Sequence, residues 1–193
     1  MKKPIGVFLL VLALLLTGCG KQHEDRHPEW DESWTRFEDL MAIEAPEDFY
    51  LGEYNDALAV NAIWYAVWNC GTDPQAITNA EGQEASVYDA QIFLVLKGFG
   101  SEEDAKASVD DWIEREAQGY ETGEFKELSA AGQIFSTWLL LAAKAENPYS
   151  HGAAAFAVRG KLAISAELLC TESFGGDPEV ILEQFLNGFH YGE

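Results

Sequence analysis

Ile92-Phe93-Leu94-Val95-Leu96 is apolar at every position, so both faces of an extended chain here would carry hydrophobic side chains. A half-buried strand alternates apolar and polar residues, whereas a strand covered on both faces does not need to. The run sits within Val87 to Phe99 and is stopped by Gly98-Phe99-Gly100. It therefore predicts a central strand with packing layers on each side. Gly98 and Gly100 lack the third glycine and the lysine of a phosphate-binding loop, so the stop reads as a turn.

Downstream, Ser101 is placed to cap a helix, with Asp104 three residues on as a variant capping box. Ala105, Val109, Trp112 and Ile113 form its apolar stripe, and Gly119 ends it. Gln133 to Ala145, centred on Phe135 and Trp138, reads as strand in preference to helix. Two more strands, about Ala154 to Val158 and Leu162 to Cys170, meet at Arg159-Gly160-Lys161, a tight reversal. Asp177 and Pro178 then start a last helix with the stripe Ile181, Leu182, Phe185, Leu186, Phe189.

Upstream, Trp30, Trp34, Phe37 and Met41 recur at helical spacing, which predicts an amphipathic helix over about 32–43, ended by Pro46. Ala57 to Cys70 is ambiguous. Its flanking Asn55-Asp56 and Gly71 look like helix caps, while Val60, Ile63, Trp64, Tyr65, Val67 and Trp68 suit a strand. Strand is the preferred reading. Thr72 to Glu84 carries Asp73-Pro74 and Glu81-Gly82 and reads as an exposed loop. The sum is an α+β fold, a single domain over 30–193, with a largely antiparallel sheet and flanking helices. No internal repeat or second domain boundary is visible.

The N-terminus decides the compartment. Lys2 and Lys3 precede an uncharged run from Ile5 to Leu16, shorter than the ~20 residues a bilayer span needs. Leu16-Thr17-Gly18-Cys19 follows, and it resembles a bacterial lipobox. That resemblance implies a signal peptide over 1–18 that is removed, lipidation of Cys19, and a tether over 19–29. It also implies a cell-membrane lipoprotein on the extracytoplasmic face, at the cell surface or in a periplasm. From Val87 to His190 the element order resembles small exported α+β lipoprotein and sensor-type domains, a likeness of order that does not bring a function with it.

Composition fits a globular domain with a substantial core, with 48% hydrophobic and 12% aromatic residues in 193. The formal charge is −21, and loss of Lys2 and Lys3 with the leader takes it to −23. Such a surface repels phosphate backbones and anionic headgroups, which excludes nucleic acid as a partner. A solubilising surface is the plain reading, and a cationic partner the sharper one.

Three cysteines are present. Lipidation of Cys19 would leave Cys70 and Cys170, which are expected to form a disulfide in an oxidising compartment; two buried thiols are the alternative. A bridge closing about 100 residues would stabilise by up to ~4.7 kcal/mol.

Catalytic and metal motifs are missing: no Cys-x-x-Cys, no His-Glu-x-x-His and no calcium loop. His23 and His27 stand four apart but read as tether residues, since no further ligands lie near them. Glu102-Glu103-Asp104 and Asp110-Asp111 read as solvated helix residues, and His190 as a residue at the end of the last helix. Ser150-His151 pairs a nucleophile with a base, but no Gly-x-Ser-x-Gly elbow positions it, and neighbours on a turn rarely face each other. No catalytic residue, metal ligand or cofactor is thus assigned. The expected function is a binding or sensing module for an envelope protein, peptide or polymer. A hydrolase whose site converges from distant residues, or a structural envelope component, remains open.

Overall fold

The computed structural model describes residues 29–55, 62–78 and 84–192. The expected signal peptide and Cys19, the tether to residue 28 with His23 and His27, residues 57–61 of the ambiguous segment and residues 79–83 of the expected loop lie outside them. No helix among the described residues is long and apolar enough to cross a membrane.

The central strand predicted from Ile92 to Leu96 is the hub of the sheet. It is β7 (Ala90–Gly98) in chain order, after β1 (Thr35–Phe37), β2 (Met41–Ile43), β3 (Tyr50–Asn55), β4 (Ile63–Cys70), β5 (Gln75–Thr78) and β6 (Glu84–Val87). Beyond it come α1 (Glu102–Gly119), β8 (Tyr120–Thr122), β9 (Lys126–Ala130), β10 (Gln133–Ala143), β11 (His151–Arg159), β12 (Leu162–Cys170), α2 (Pro178–Asn187) and β13 (Phe189–Tyr191). The large sheet runs β3-β4-β7-β12-β11-β10-β8, with β9 also paired to β10. Every neighbouring pair is antiparallel. The fold is thus a largely antiparallel sheet with helices, and it is richer in strand than the expected alternation of elements.

Alternation along β11 and β12 assigns the two faces. Ala153, Ala155, Ala157, Ile164, Ala166 and Leu168 join Leu182, Phe185 and Leu186 of α2 in the main core. Ala154, Phe156 and Ala163 point the other way and meet Ala105 and Val109 of α1. The helices therefore cover opposite faces, and alanines on β11 let both approach closely. In β7 the α2-side residues Ala90, Ile92, Leu94 and Leu96 are fully buried, while the intervening ones are only half-buried. Both faces are covered, but unequally.

Local signals hold where turns and caps are short-range. Ser101 Oγ accepts from the Asp104 N–H at 3.1 Å, although the Asp104 carboxylate accepts from the Ser101 hydroxyl and not from its backbone. Asp177 Oδ1 accepts from the N–H of Glu179 and of Val180. Gly160, at φ 58°, turns β11 into β12, opposing Arg159 and Leu162. The segment ending at Cys70 is strand from Ile63, and 133–143 is strand.

Three expectations are corrected. The helix over 32–43 is instead the hairpin β1–β2, with Phe37 opposite Met41 and Glu38 at φ 49° in the turn. Met41, Ala42 and Ile43 are all buried, which one face of a surface helix cannot achieve. β2 gains its second neighbour, β13, from the far end of the chain, with Ile43 opposite Phe189. The loop expected over 72–84 contains β5, which pairs with β6. His190 is in β13 and not on the last helix, which ends at Asn187. Gly188 lets the chain pass close to Glu44 at that break: a side chain there would run into the Glu44 carbonyl oxygen, and the Glu44 N–H donates to the Gly188 carbonyl at 2.9 Å.

Candidate functional site

The α1 face of β12 should be apolar, because α1 covers it. Two polar residues interrupt it, Ser165 and Glu167, two positions apart and so on the same face. Phe93 of β7 and Ala154 of β11 flank Glu167 in register. From above, the C-terminal half of α1 lowers Trp112 and, one turn on, Glu116; Arg115 lies beside them and is solvent-exposed. Together with Val95 these residues enclose a cavity of about 240 Å³.

Its electrostatics are unusual for a chain this acidic. Ser165 is buried, and its hydroxyl donates to Glu167 Oε1 at 3.0 Å. Burial pushes the Glu167 carboxyl up to about 7, and the Glu116 carboxylate pushes the same way; Ser165 and Arg115 oppose the rise. Glu116 is also raised, chiefly by burial. The two carboxyls therefore share fewer than two charges near neutral pH. Nearby, the Tyr120 phenol is pushed up to about 12 by burial and by both glutamates.

Tyr120 links the cavity to a polar row on the same face. Its hydroxyl donates to the Tyr149 carbonyl at 3.2 Å and accepts from Asn147 Nδ2 at 3.0 Å. The Tyr149 hydroxyl donates to Gln91 Oε1, and Gln91 Nε2 donates to Asn69 Oδ1 at 2.6 Å. Asn69 is buried at 5% exposure, so this chain of bonds satisfies groups that would otherwise cost stability.

Sequence reasoning passed over Glu116 and Glu167. The signal was available in Glu167, a charge inside the apolar strand Leu162–Cys170, since glutamate is almost never fully buried without a partner. Glu116 carried no such signal, because the helix alone does not reveal which polar residue faces the sheet.

The residues singled out from sequence lie elsewhere. Glu102, Glu103, Asp104, Asp110 and Asp111 are exposed on α1, and Glu102 pairs with Lys106 at 2.6 Å. Ser150 Oγ does face His151 Nδ1, at 3.1 Å, contrary to expectation, but neither residue lines the cavity beneath α1. His190 stacks on Trp34, ring centroids 3.8 Å apart, with Nε2 4.0 Å from Glu44. Among the described residues no group of three or more His, Cys, Asp or Glu is placed to hold a metal ion.

The expected disulfide is not formed; Cys70 and Cys170 are free thiols. Both are in register with Ala90, one on each flank of β7. Two strand spacings of about 4.8 Å separate them by roughly 9–10 Å, beyond the ~7 Å a bridge spans. Burial raises the Cys170 thiol to about 12, with a smaller push from Cys70; Cys70 is raised by burial and then by Asp48 and Asp89. Neither is an activated nucleophile.

No family model matches the chain, and no curated protein matches its sequence. By structure it is similar to the cyanobacterial PsbP protein, CyanoP, of Synechocystis sp. PCC 6803, with TM-score 0.46 and 12% identity over 81% of this chain and 89% of that one. A protein of Bacteroides thetaiotaomicron VPI-5482 is similar at TM-score 0.37 and 9% identity, over 80% of this chain and 46% of the other. With TM-scores below 0.5, neither assigns a fold family or an activity.

Proposed function

We propose that the protein is a lipoprotein held at the extracytoplasmic face of the membrane by lipid on Cys19, and that it works as a binding or sensing module. The observation that supports the reading most is the cavity beneath α1, where Ser165, Glu116 and Glu167 converge on a space that could have been filled with apolar side chains. Its chemistry suits a small polar ligand. Glu167 offers a donor when protonated and an acceptor when ionised, Trp112 supplies an apolar wall, and Arg115 stands at the mouth. A ligand held through Glu167 senses that proton, so its affinity changes across neutral pH.

The test is an amide-resolved NMR titration of the full chain in detergent micelles, using soluble sugar and short-peptide fragments of envelope polymers. Saturable shifts at Val95, Trp112 and Ser165 that differ between pH 5.5 and 8, and that Glu167→Gln makes pH-independent, are the expected result. Shifts confined to other parts of the chain would overturn the placement of the site.

One observation keeps an envelope hydrolase as the second reading. Glu116 and Glu167 converge from a helix and a distant strand on one cavity, an arrangement suited to general acid–base chemistry. Turnover of the same fragments that both Glu116→Gln and Glu167→Gln abolish would favour it over binding alone.

A further inference from the structure

A second cavity lies on the opposite face of the sheet, and its chemistry differs from that of the first. β8 and β9 both pair with β10; between them the Gly123 N–H still donates to the Leu139 carbonyl at 2.9 Å, and the ladder is then interrupted over Glu124 and Phe125. A slot of about 100 Å³ opens there against α2, with Leu128, Leu139 and Leu182 among its apolar walls. A cavity of about 150 Å³ holds a benzene ring. This one is the size for a single aliphatic stem.

Its rim has the opposite character. Glu124, Glu127, Glu179 and Glu183 are all exposed there, on three different segments. The cation among them is Lys126, whose Nζ lies 2.5 Å from Glu179 Oε1. Both partners of that ion pair are about half exposed, so it contributes little and can be exchanged for another ammonium. The rim thus already shows, with its own lysine, the kind of group it accepts. The formal charge of −21 draws cations toward it over a longer range.

We infer that this slot docks a lysine side chain of a basic partner polypeptide, the methylene stem between Leu128, Leu139 and Leu182 and the ammonium on the carboxylate rim. The apolar walls reject a hydrated inorganic cation. The carboxylates reject an acidic or purely aliphatic side chain in favour of a basic one. A lysine carries its charge at the end of four methylenes, and so meets both requirements at once. Lys126 competes with the incoming group for Glu179. The slot and the cavity beneath α1 share no lining residue, so the two proposals stand or fall separately.

The probe is the capped tripeptide acetyl-Gly-Lys-Gly-amide, titrated into the full chain in zwitterionic micelles and followed by amide NMR. Saturable shifts are expected at Gly123, Leu139 and Leu182. The counterpart with norleucine, which keeps the stem and loses the charge, should bind several-fold more weakly, as should the lysine peptide to the Glu124→Gln/Glu183→Gln double variant. Both substitutions are on exposed side chains, so the fold is kept. Lys126→Ala should tighten binding several-fold by removing the resident competitor. Equal binding of the norleucine peptide, no saturable shift at these amides, or weaker binding to Lys126→Ala would each overturn the inference.

Discussion

Cys70 and Cys170 face each other across Ala90, the first residue of the central strand, each directly in register with it from a different neighbouring strand. Close in projection, they are separated by a whole strand, and the methyl of Ala90 occupies the space between. A pair of cysteines in a chain proposed to be exported is a disulfide signal. Here the intervening strand defeats it.

The thiols provide the first prediction. In denaturant, without reductant, both Cys70 and Cys170 should alkylate fully, which mass spectrometry counts directly. In the native state Cys170, buried and with its thiol raised to about 12, should resist while Cys70 reacts slowly. Cys70→Ala should cost about 1 kcal/mol in urea unfolding, as for a partly buried small hydrophobe, and not the 2–5 kcal/mol of a lost bridge.

Stability should depend on Glu167 in a defined pH window. Its folded carboxyl titrates at about 7 against 4.5 unfolded, so the folded chain binds the extra proton between those values. Stability is then greatest below pH 4.5 as far as this group is concerned, falls as pH rises, and has lost the full contribution above about 7. Glu116, raised as well, acts in the same direction. Glu167→Gln should be more stable than wild type by about 1–3 kcal/mol at pH 8, with little difference at pH 4.5. Chemical denaturation at the two pH values decides; a wild-type stability that rises from pH 5 to 8, with the variant showing no gain, would contradict the placement of Glu167.

Close packing at β11 makes a third prediction. A methyl added at Gly152 would run into the carbonyl oxygen of Leu168 on β12, whereas one at Gly175 meets nothing within 4 Å. Gly152→Ala should therefore destabilise by about 1–3 kcal/mol, and Gly175→Ala should stay within ±0.5 kcal/mol. Thermal melts of the two variants side by side separate a specific collision from a general loss of glycine.

The anchor can be tested in the cell. Cys19→Ser removes the sulfur to which lipid would be attached, and the protein should leave the membrane fraction. Mass spectrometry of the wild-type chain should show a species beginning at Cys19 and heavier by its lipid. A full-length, unlipidated chain as the native product would refute the lipoprotein reading.

Ile92 to Leu96, Ser101, Asp177-Pro178 and Gly160 show what the sequence alone determined: a doubly covered central strand, the starts of the two helices among the described residues, and a tight hairpin. Those features depend on interactions within a few residues or on hydrophobicity that no fold could leave exposed. Tertiary structure decided the rest. Trp34, Phe37 and Met41 carry a helical spacing, yet Phe37 and Met41 fall in the strands of a small sheet, where β13 from a distant part of the chain pairs with β2. His190 moved with that strand, and the cysteines lost their bridge to the insertion of β7 between them. The site behaved likewise. Glu167 was legible as an anomaly within β12, but its meeting with Glu116 depends on how α1 lies across the sheet. No local propensity encodes that, because the contact is long-range and its energy exists only once the layers pack.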